Sequence, residues 1–282
     1  MENLAKIDMF KKDKCQLSKT EVKNINKLFY TRGIVEFSNL PWKKDQIQNF
    51  TDYFTTKYSN DAARREKKFK KTNINSVDIG FNEIPLHSEA SFTYAYPEII
   101  WFYCYKNDDK GSPTTICDGK ELWQKLEKKT KEFFLKNPVK YSLEIEIPYV
   151  DKRKSNQEML IEQPGVSNAY INWRKGTLNF IYTKFIINID KLSDSIFFSN
   201  HLLIGPKLEK QIKKMTLIDN SKIPSDIFQE IKHKSEDSKK EYIWKKNNLL
   251  MLNNKRFMHG RKKYSESSNR EILNLQSLKI NF

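Results

Sequence analysis

Residues 98–105 limit the possible folds of this 282-residue chain more than any other segment. Their sequence, Glu-Ile-Ile-Trp-Phe-Tyr-Cys-Tyr, is nearly continuous in β-branched and aromatic residues, which favour strands. A half-exposed strand would alternate apolar and polar residues, because its side chains point to opposite faces in turn. This run does not alternate, so it predicts a strand inside a sheet with both faces covered.

Other segments have the periodicities of strands and helices. Residues 139–147 alternate as in a half-buried strand, with Val139, Tyr141, Leu143, Ile145 and Ile147 on one side. The remaining predicted strands are residues 33–37, 77–81, 179–189, 242–252 and 271–280. The predicted helices are residues 19–31, 44–58, 120–135, 202–215 and 225–234, and the basic, polar residues 60–75 are predicted to form a loop.

Strands with flanking helices predict one mainly β domain over residues 1–282. Such a chain can bury its apolar faces by packing two sheets together, and the jelly roll, or double-stranded β-helix, is one such arrangement. Residues 150–172 and 190–240 are long and polar, so they do not fit a compact barrel. Long insertions of this kind often cover a site, which predicts a lid role for both.

The composition indicates a folded chain with a basic surface. Hydrophobic residues make up 38% and charged residues 30%, but aromatic residues reach 13%, which is enough to fill a sizeable core. The formal net charge is +16, and most of the cations are lysines scattered among asparagine and isoleucine. We interpret this as a solvated lysine-rich surface. No nucleic-acid partner is expected, whereas an acidic partner would suit the charge.

The cysteines and the lack of long apolar runs favour a cytosolic location. Cys15, Cys104 and Cys117 are odd in number and widely spaced, so they indicate neither a disulfide framework nor a zinc motif. Residues 1–19 carry charges throughout, which predicts no secretory signal. No run approaches the length of a membrane span, so we expect no membrane partner. The sequence is silent on the oligomeric state.

Three residues have the chemistry of a metal site. His87 and Glu89 form a His-x-Glu, and residues i and i+2 of a strand point to the same face. His259 follows a predicted strand and a polar turn, and two histidines with one carboxylate are the ligands of non-haem Fe(II) oxygenases. Arg270 could form a two-pronged pair with a carboxylate of a co-substrate. If His87 is considered without His259, the alternative is a core histidine that is hydrogen-bonded to a neighbour.

These residues lie in stretches that resemble the taurine dioxygenase and clavaminate synthase-like group of Fe(II)- and 2-oxoglutarate-dependent oxygenases. Order and spacing agree over about residues 30–282, with a poorer match in the insertions, and the combination is far more specific than any one piece. The matching stretches are Leu-His-Ser-Glu-Ala-Ser-Phe at 86–92, Pro-Glu-Ile-Ile-Trp-Phe-Tyr-Cys at 97–104, Gly-Ser-Pro-Thr-Thr-Ile-Cys-Asp at 111–118, and residues 249–270, which include His-Gly-Arg at 259–261.

The resemblance implies the ligands and the chemistry of the site. His87, Glu89 and His259 would bind Fe(II), and Arg270 would bind the distal carboxylate of 2-oxoglutarate. Thr114 would assist that carboxylate, with Thr115 the less favoured choice. With O₂, such an enzyme hydroxylates an unactivated C–H of a small amino-acid-like substrate and releases succinate and CO₂. Desaturation or cyclisation of the substrate would use the same site, and the substrate could be free or tethered to an acidic carrier protein.

Three features bear on the reaction within this group. Ser112-Pro113 stands where the family more often has Gly-x before its threonine, so the local loop can differ. Taurine-cleaving members have a second arginine four residues after the first, and this chain has Asn274 there, which predicts a different substrate. Halogenating members lack the carboxylate ligand, so Glu89 argues against halogenation.

The substrate contacts are less well defined by the sequence. Ser91, Phe92 and Tyr94 follow the metal-binding stretch and are candidate substrate contacts, although Phe92 and Tyr94 would equally suit the core. Arg261 is a candidate substrate contact or a surface cation. No role is assigned to the two remaining histidines, at positions 201 and 233. A non-catalytic jelly-roll protein that binds a metal is the competing hypothesis.

Overall fold

Strands predominate in the computed structural model, which describes residues 4–9, 16–41, 43, 46–59, 72–77, 80–108, 111–190 and 193–281. These residues contain 18 strands and six helices, as the mainly β prediction requires. The chain divides into two compact units. The first unit comprises Met1–Glu89, Ala95–Cys117 and Lys239–Phe282, and the second comprises Ala90–Tyr94 and Asp118–Ser238.

The elements have the following bounds. The strands are β1 (Ala5–Asp8), β2 (Ile34–Ser38), β3 (Thr55–Tyr58), β4 (Asn75–Ser76), β5 (Ile84–His87), β6 (Ile99–Lys106), β7 (Thr114–Asp118), β8 (Val139–Glu146), β9 (Gln157–Glu158), β10 (Val166–Asn172), β11 (Thr177–Lys184), β12 (Asn188–Asp190), β13 (Ser195–Phe197), β14 (Ile212–Leu217), β15 (Lys240–Tyr242), β16 (Leu249–Asn253), β17 (Phe257–Arg261) and β18 (Glu271–Ile280). The helices are α1 (Lys19–Arg32), α2 (Ile47–Thr51), α3 (Gly119–Lys125), α4 (Lys128–Lys136), α5 (Gly205–Leu208) and α6 (Ser225–Ser238).

Two sheets form the first unit. One has the strand order β1-β2-β16-β6-β18-β3, with β4 paired to β18, and the other has the order β15-β7-β17-β5. A single apolar cluster joins them, with Phe102 and Leu250 from the larger sheet and Ile116 and Phe257 from the smaller one. Two sheets packed face to face over such a core form the jelly roll that the strand pattern predicts.

Strand β6 lies in the interior, as its composition predicts. It pairs with β16 on one side and with β18 on the other, so that Trp101 is opposite Met251 and Leu275. The Trp101 side chain is fully buried, and its indole nitrogen donates to the Ser277 hydroxyl at 2.9 Å. Both faces of β6 are therefore covered, which explains why no polar alternation is present.

Helix α1 covers the outer face of the larger sheet. Ser18 and Glu21 form a capping box at its start, and Gly33 ends it at a φ of 71°. Ile25 and Phe29 are buried in a cluster that also contains Trp101. The predicted helix over 19–31 is confirmed, and the helix extends one residue further.

The predicted helix over residues 44–58 is wrong for its second half. Helix α2 ends at Thr51, and Thr55–Tyr58 form β3, which pairs with the last strand, β18. The helical spacing of the aromatic residues is real, since Phe50 and Phe54 both enter the core. Pairing with a distant strand outweighs that local pattern, because β-branched Thr55 and Thr56 favour an extended chain.

The second unit contains its own sheet, with the order β14-β8-β11-β10-β9. Helices α4 and α6 are joined by polar contacts: the Thr130 hydroxyl and the Glu127 backbone N–H both donate to Glu230. Apolar packing includes Phe134 against Phe198, with ring centroids 5.3 Å apart. The predicted strand over 139–147 is confirmed as β8, which ends at Glu146 and in which Val139, Tyr141 and Leu143 are buried.

The predicted helix over residues 202–215 is also wrong. Only α5 is helical there, and β14 pairs with β8 so that Ile212 is opposite Leu143. A free edge on β8 provides backbone partners that a local sequence pattern cannot reveal. Both proposed insertions belong largely to this unit, where residues 150–172 contain β9 and β10. Their lid role stays a prediction.

Several other predicted segments have different bounds. Residues 120–135 form two helices, α3 and α4. Residues 242–252 contain the last residue of β15 and most of β16, with a turn between them in which Asn247 has a φ of 66°. The strand predicted over 179–189 is divided between β11 and β12. Of the strand predicted over 77–81, the described residues 77, 80 and 81 are not in a strand, and β5 begins at Ile84. Most of the predicted loop over 60–75 lies outside the described residues.

The two described cysteines, Cys104 and Cys117, are free and buried. Burial raises the pKa of the Cys104 thiol to about 12, so the thiolate is scarce at neutral pH. Cys15 lies outside the described residues. Within the described part of the chain, no helix has the length and apolar character needed to cross a membrane. The cytosolic location stays a prediction.

Candidate metal centre

His87 and His259 are brought together by strand pairing. His87 ends β5, His259 lies within β17, and the two residues are direct partners in the antiparallel ladder. Their ring centroids are 4.5 Å apart, and Phe102 lies with its ring centroid 5.1 Å from that of His259. The residues are far apart in the sequence, so only the smaller sheet of the jelly roll makes them neighbours.

Glu89 completes the cluster from a turn and not from a strand. Strand β5 ends at His87, so the predicted alternation does not apply to Glu89. Its Oε2 atom nevertheless lies 3.8 Å from Nε2 of His87 and 3.7 Å from Nε2 of His259. The next residue, Ala90, has a φ of 52°, an uncommon conformation for alanine that turns the chain sharply.

Asn254 fixes the backbone of this turn. Its Oδ1 accepts from the Glu89 N–H at 2.8 Å and from the Ser88 hydroxyl at 3.2 Å. Its Nδ2 donates to the carbonyl oxygens of Glu89 at 3.0 Å and Pro97 at 2.8 Å. The side chain is fully buried. The sequence alone does not reveal this role, because an asparagine in the Asn-Asn pair before β17 resembles an ordinary turn residue.

The His87 ring is oriented by its own strand. Its Nδ1 lies 2.9 Å from the Pro85 carbonyl oxygen, which can only accept a hydrogen bond. Nδ1 therefore carries a proton, and in the neutral imidazole the lone pair is on Nε2, which faces Glu89. This is the usual arrangement of a metal-binding histidine, whose second nitrogen donates to a carbonyl or carboxylate.

The three donors suit one ferrous ion. One ligand atom from each of His87, Glu89 and His259 lies within 4.8 Å of the other two, and all three residues are buried. Two imidazole nitrogens and one carboxylate oxygen on one side of an ion form the facial triad of non-haem Fe(II) oxygenases, which leaves the remaining positions open. The chemistry and spacing of the donors therefore fit Fe(II).

Gly260 allows β17 to approach β5 closely. A Cβ atom there would lie 2.4 Å from the Ile84 carbonyl oxygen and 2.9 Å from Oγ1 of Thr115. Gly260→Ala is therefore expected to separate the strands that carry His87 and His259. We expect it to lower the free energy of unfolding by about 3 kcal/mol, as overpacking does in a rigid interior.

Urea unfolding of the metal-free protein measures this cost. Gly205→Ala is the comparison, since a Cβ there would meet only Met215 Cε at 3.8 Å, although its φ is 56°. The Gly205 variant should lose only about 1 kcal/mol, the cost of a left-handed non-glycine residue. Equal losses in the two variants would contradict a close approach at Gly260.

Thr114 and Thr115 face different surroundings. The Thr114 hydroxyl accepts from the Trp244 indole N–H at 2.9 Å, and Trp244 belongs to the cluster between the two sheets. Thr115 lies beside Gly260, which alternates with His259 on β17. Thr114 is therefore the threonine on the interior side of the smaller sheet, the side on which the His259 ring lies.

Arg261, at the end of β17, and Arg270, just before β18, lie close to one tyrosine. Arg270 donates from Nε to the Ser112 carbonyl oxygen at 3.0 Å, so the stretch that departs from the family pattern contacts it. Arg261 is 4% exposed and donates from Nη2 to the carbonyl oxygens of Gly80 and Asn82. Both guanidinium groups lie over the Tyr264 ring.

The candidate substrate residues of the second unit are held by aromatic packing. Phe92 is buried against His201, with ring centroids 4.7 Å apart, and Tyr94 packs on Phe180 at 5.8 Å. Ser91 is buried as well. His201 is thus a packed interior residue, whereas His233 is exposed on α6. The substrate roles of Ser91, Phe92, Tyr94 and Arg261 stay predictions.

Three solved structures share this fold at low sequence identity. AAD-2, crystallised with Mn(II) and N-oxalylglycine, has a TM-score of 0.61 at 13% identity, over 99% of this chain and 94% of that one. A Burkholderia xenovorans protein named as an alpha-ketoglutarate-dependent taurine dioxygenase has a TM-score of 0.64 at 9% identity, over 99% and 89% of the chains. A second protein of that organism, named as an alpha-ketoglutarate-dependent 2,4-D dioxygenase, has a TM-score of 0.59 at 15% identity, over 97% and 93%. These similarities show the fold alone. No curated protein sequence matches the chain.

Fold and site together define a class, the non-haem iron dioxygenases that depend on 2-oxoglutarate. The chain belongs to the taurine catabolism dioxygenase TauD, TfdA family, whose family model matches residues 5–276. The predicted family, the enzyme class and the cofactors Fe(II), 2-oxoglutarate and O₂ are confirmed on this basis.

Proposed function

We propose that His87, Glu89 and His259 are the iron ligands of an oxygenase whose co-substrate binds at Arg270 and Thr114. One observation carries this proposal: both histidine Nε2 atoms lie within 3.8 Å of the same Glu89 carboxylate oxygen. The Arg270 guanidinium is suited to the distal carboxylate of 2-oxoglutarate, because its planar N–H groups can donate two parallel hydrogen bonds to a carboxylate. Thr114, on the interior side of β7, adds a hydroxyl for the same group.

The protein's own residues would bind and orient the reactants. With both bound, iron and 2-oxoglutarate supply the activation of O₂, which no side chain can perform. Glu89 and the two histidines would hold the ion, and Asn254 and the Pro85 carbonyl keep two of these three side chains in orientation. Buried Phe102 keeps the surroundings of His259 apolar and excludes water.

The reaction proposed is hydroxylation of an unactivated C–H, with release of succinate and CO₂. The substrate would be a small amino-acid-like molecule, either free or tethered to an acidic carrier protein, which would suit the net charge of +16. Desaturation or cyclisation of the substrate is the alternative outcome. Asn274 is buried on β18, opposite Phe102, and its neutral amide cannot balance a sulfonate charge. A substrate other than taurine is therefore favoured.

Substrate-dependent succinate release tests this function. The purified protein, with Fe(II), 2-oxoglutarate and O₂, is supplied with a panel of free and carrier-linked amino acids, and products are identified by mass spectrometry. A mass gain of one oxygen supports hydroxylation, while a loss of two hydrogens supports the alternative outcome. Absence of succinate with every compound, together with failure to bind 2-oxoglutarate, would favour the non-catalytic hypothesis.

Arg270→Ala tests the co-substrate assignment. Loss of a charge-assisted pair costs about 1.5–3 kcal/mol, so the KM for 2-oxoglutarate should rise by about 10- to 100-fold. The affinity for Mn(II), which depends on other residues, should not change. Arg153→Ala is the matched control, because that arginine is exposed in the second unit. An unchanged KM in the Arg270 variant would place the co-substrate carboxylate elsewhere.

A further inference from the structure

Tyr264 lies beneath two cations in the loop between β17 and β18. The guanidinium carbon of Arg261 is 4.9 Å from the centroid of its ring, and that of Arg270 is 5.5 Å from the same centroid. These distances are within the range of cation–π attraction, in which the negative face of the ring draws a positive charge.

The Tyr264 ring is itself held in place. Its backbone N–H donates to the Phe81 carbonyl oxygen at 3.0 Å, and the Phe81 ring meets it edge-on with centroids 5.3 Å apart. The carbonyls on either side of Phe81, those of Gly80 and Asn82, accept from Arg261. The 80–82 turn, Arg261 and Tyr264 therefore form one connected group with several independent contacts.

Arg270 is fixed by this group and by a hydrogen bond to Ser112. Its Nε donates to the Ser112 carbonyl oxygen, so a fixed acceptor and the face of Tyr264 both limit where the guanidinium can lie. A free arginine side chain has about 2 kcal/mol of rotamer entropy to lose when it binds a ligand. An arginine that is already ordered loses less rotamer entropy on binding, and it binds a carboxylate more tightly for that reason.

We infer that Tyr264 is a positioning residue for 2-oxoglutarate: its ring orders Arg270 and reduces the repulsion between Arg270 and Arg261. The inference rests on the proposed role of Arg270 as the partner of the distal carboxylate. The aromatic face performs this function, and the phenol hydroxyl is not required for it. Phenylalanine at this position should therefore retain the positioning of Arg270, whereas an aliphatic side chain should lose it.

Titration of the Mn(II)-loaded protein with 2-oxoglutarate tests the inference without turnover. Cation–π contacts are worth about 0.5–2 kcal/mol, so Tyr264→Leu should weaken 2-oxoglutarate binding by about tenfold. Tyr264→Phe should bind within about twofold of the natural protein, since its ring face is retained. Tyr149→Leu is the matched control, because Tyr149 also has a cation, Lys154, near its ring, but lies in the second unit.

The Mn(II) affinity of each variant distinguishes positioning from general damage. It should be unchanged in Tyr264→Leu, because the ring contacts Arg261, Arg270 and Phe81. If that variant does not fold, Tyr264→Met removes the aromatic face with a more adaptable side chain and serves in its place. Binding of 2-oxoglutarate at natural strength by the folded aliphatic variant would overturn the inference.

The Arg270→Ala variant separates the two proposals. If it weakens 2-oxoglutarate binding while Tyr264→Leu does not, the positioning role alone is wrong. If Arg270→Ala leaves the affinity unchanged, the assignment of the co-substrate carboxylate fails, and the inference about Tyr264 fails with it. Equal weakening in the leucine and phenylalanine variants would show that the hydroxyl and not the ring face matters, which would also overturn the inference.

Discussion

Replacing His259 by alanine is expected to abolish 2-oxoglutarate-dependent succinate formation and to weaken Mn(II) or Fe(II) binding by at least about 100-fold. The imidazole supplies one of only two nitrogen donors of the candidate centre, and its Nε2 lies 3.7 Å from the Glu89 carboxylate. With only two donors left, the site cannot hold the ion in one ordered position. His87→Ala should have the same effect, because the two rings are partners across β5 and β17.

Metal affinity is measured by titration of the metal-free protein, and turnover by succinate release. His233→Ala is the matched control: this histidine lies on α6, its side chain is 74% exposed, and it should bind metal and turn over like the natural protein. Circular dichroism establishes that the variants are folded. Natural turnover in either His87→Ala or His259→Ala would refute the ligand assignment.

The second large effect is expected from Asn254→Ala. The substitution leaves the Glu89 N–H and the carbonyl oxygens of Glu89 and Pro97 buried without the bonds that Asn254 makes. Each such group costs about 1–3 kcal/mol, and we expect a total loss of about 3–5 kcal/mol in the free energy of unfolding. Because the Glu89 turn loosens, Mn(II) affinity should also fall, by about 10- to 100-fold.

Two comparisons separate hydrogen bonding from lost volume. Asn254→Asp keeps the size of the side chain but places a carboxylate oxygen against two carbonyl oxygens, so it should be at least as destabilising as alanine. Asn156→Ala removes an exposed asparagine of the second unit and should change neither the free energy of unfolding nor the Mn(II) affinity. Urea unfolding of the metal-free proteins gives the stability, and Mn(II) titration of the folded variants gives the affinity. A natural Mn(II) affinity in folded Asn254→Ala would contradict the positioning of Glu89 by this side chain.

Local patterns predicted those elements whose partners are near in sequence or whose composition is extreme. Helix α1 has its caps at Ser18 and Gly33 in the sequence itself, and β6 has too few polar residues to face water. Residues 55–58 and 212–215 were predicted as helix because apolar spacing alone cannot show that an unpaired strand edge is available. Long-range backbone hydrogen bonds decide such segments, and they depend on the whole sheet.

The sequence by itself determined which donors are available: two histidines, one glutamate and two arginines, in the order and spacing of a known family. That information suffices for the class of chemistry, because metal preference follows from donor type. Only the tertiary structure decided that Glu89 reaches the histidines from a turn held by Asn254, and that Tyr264 lies under both Arg261 and Arg270. These contacts join residues far apart along the chain, so no local periodicity encodes them, and they form only when the two sheets of the jelly roll close on a shared core.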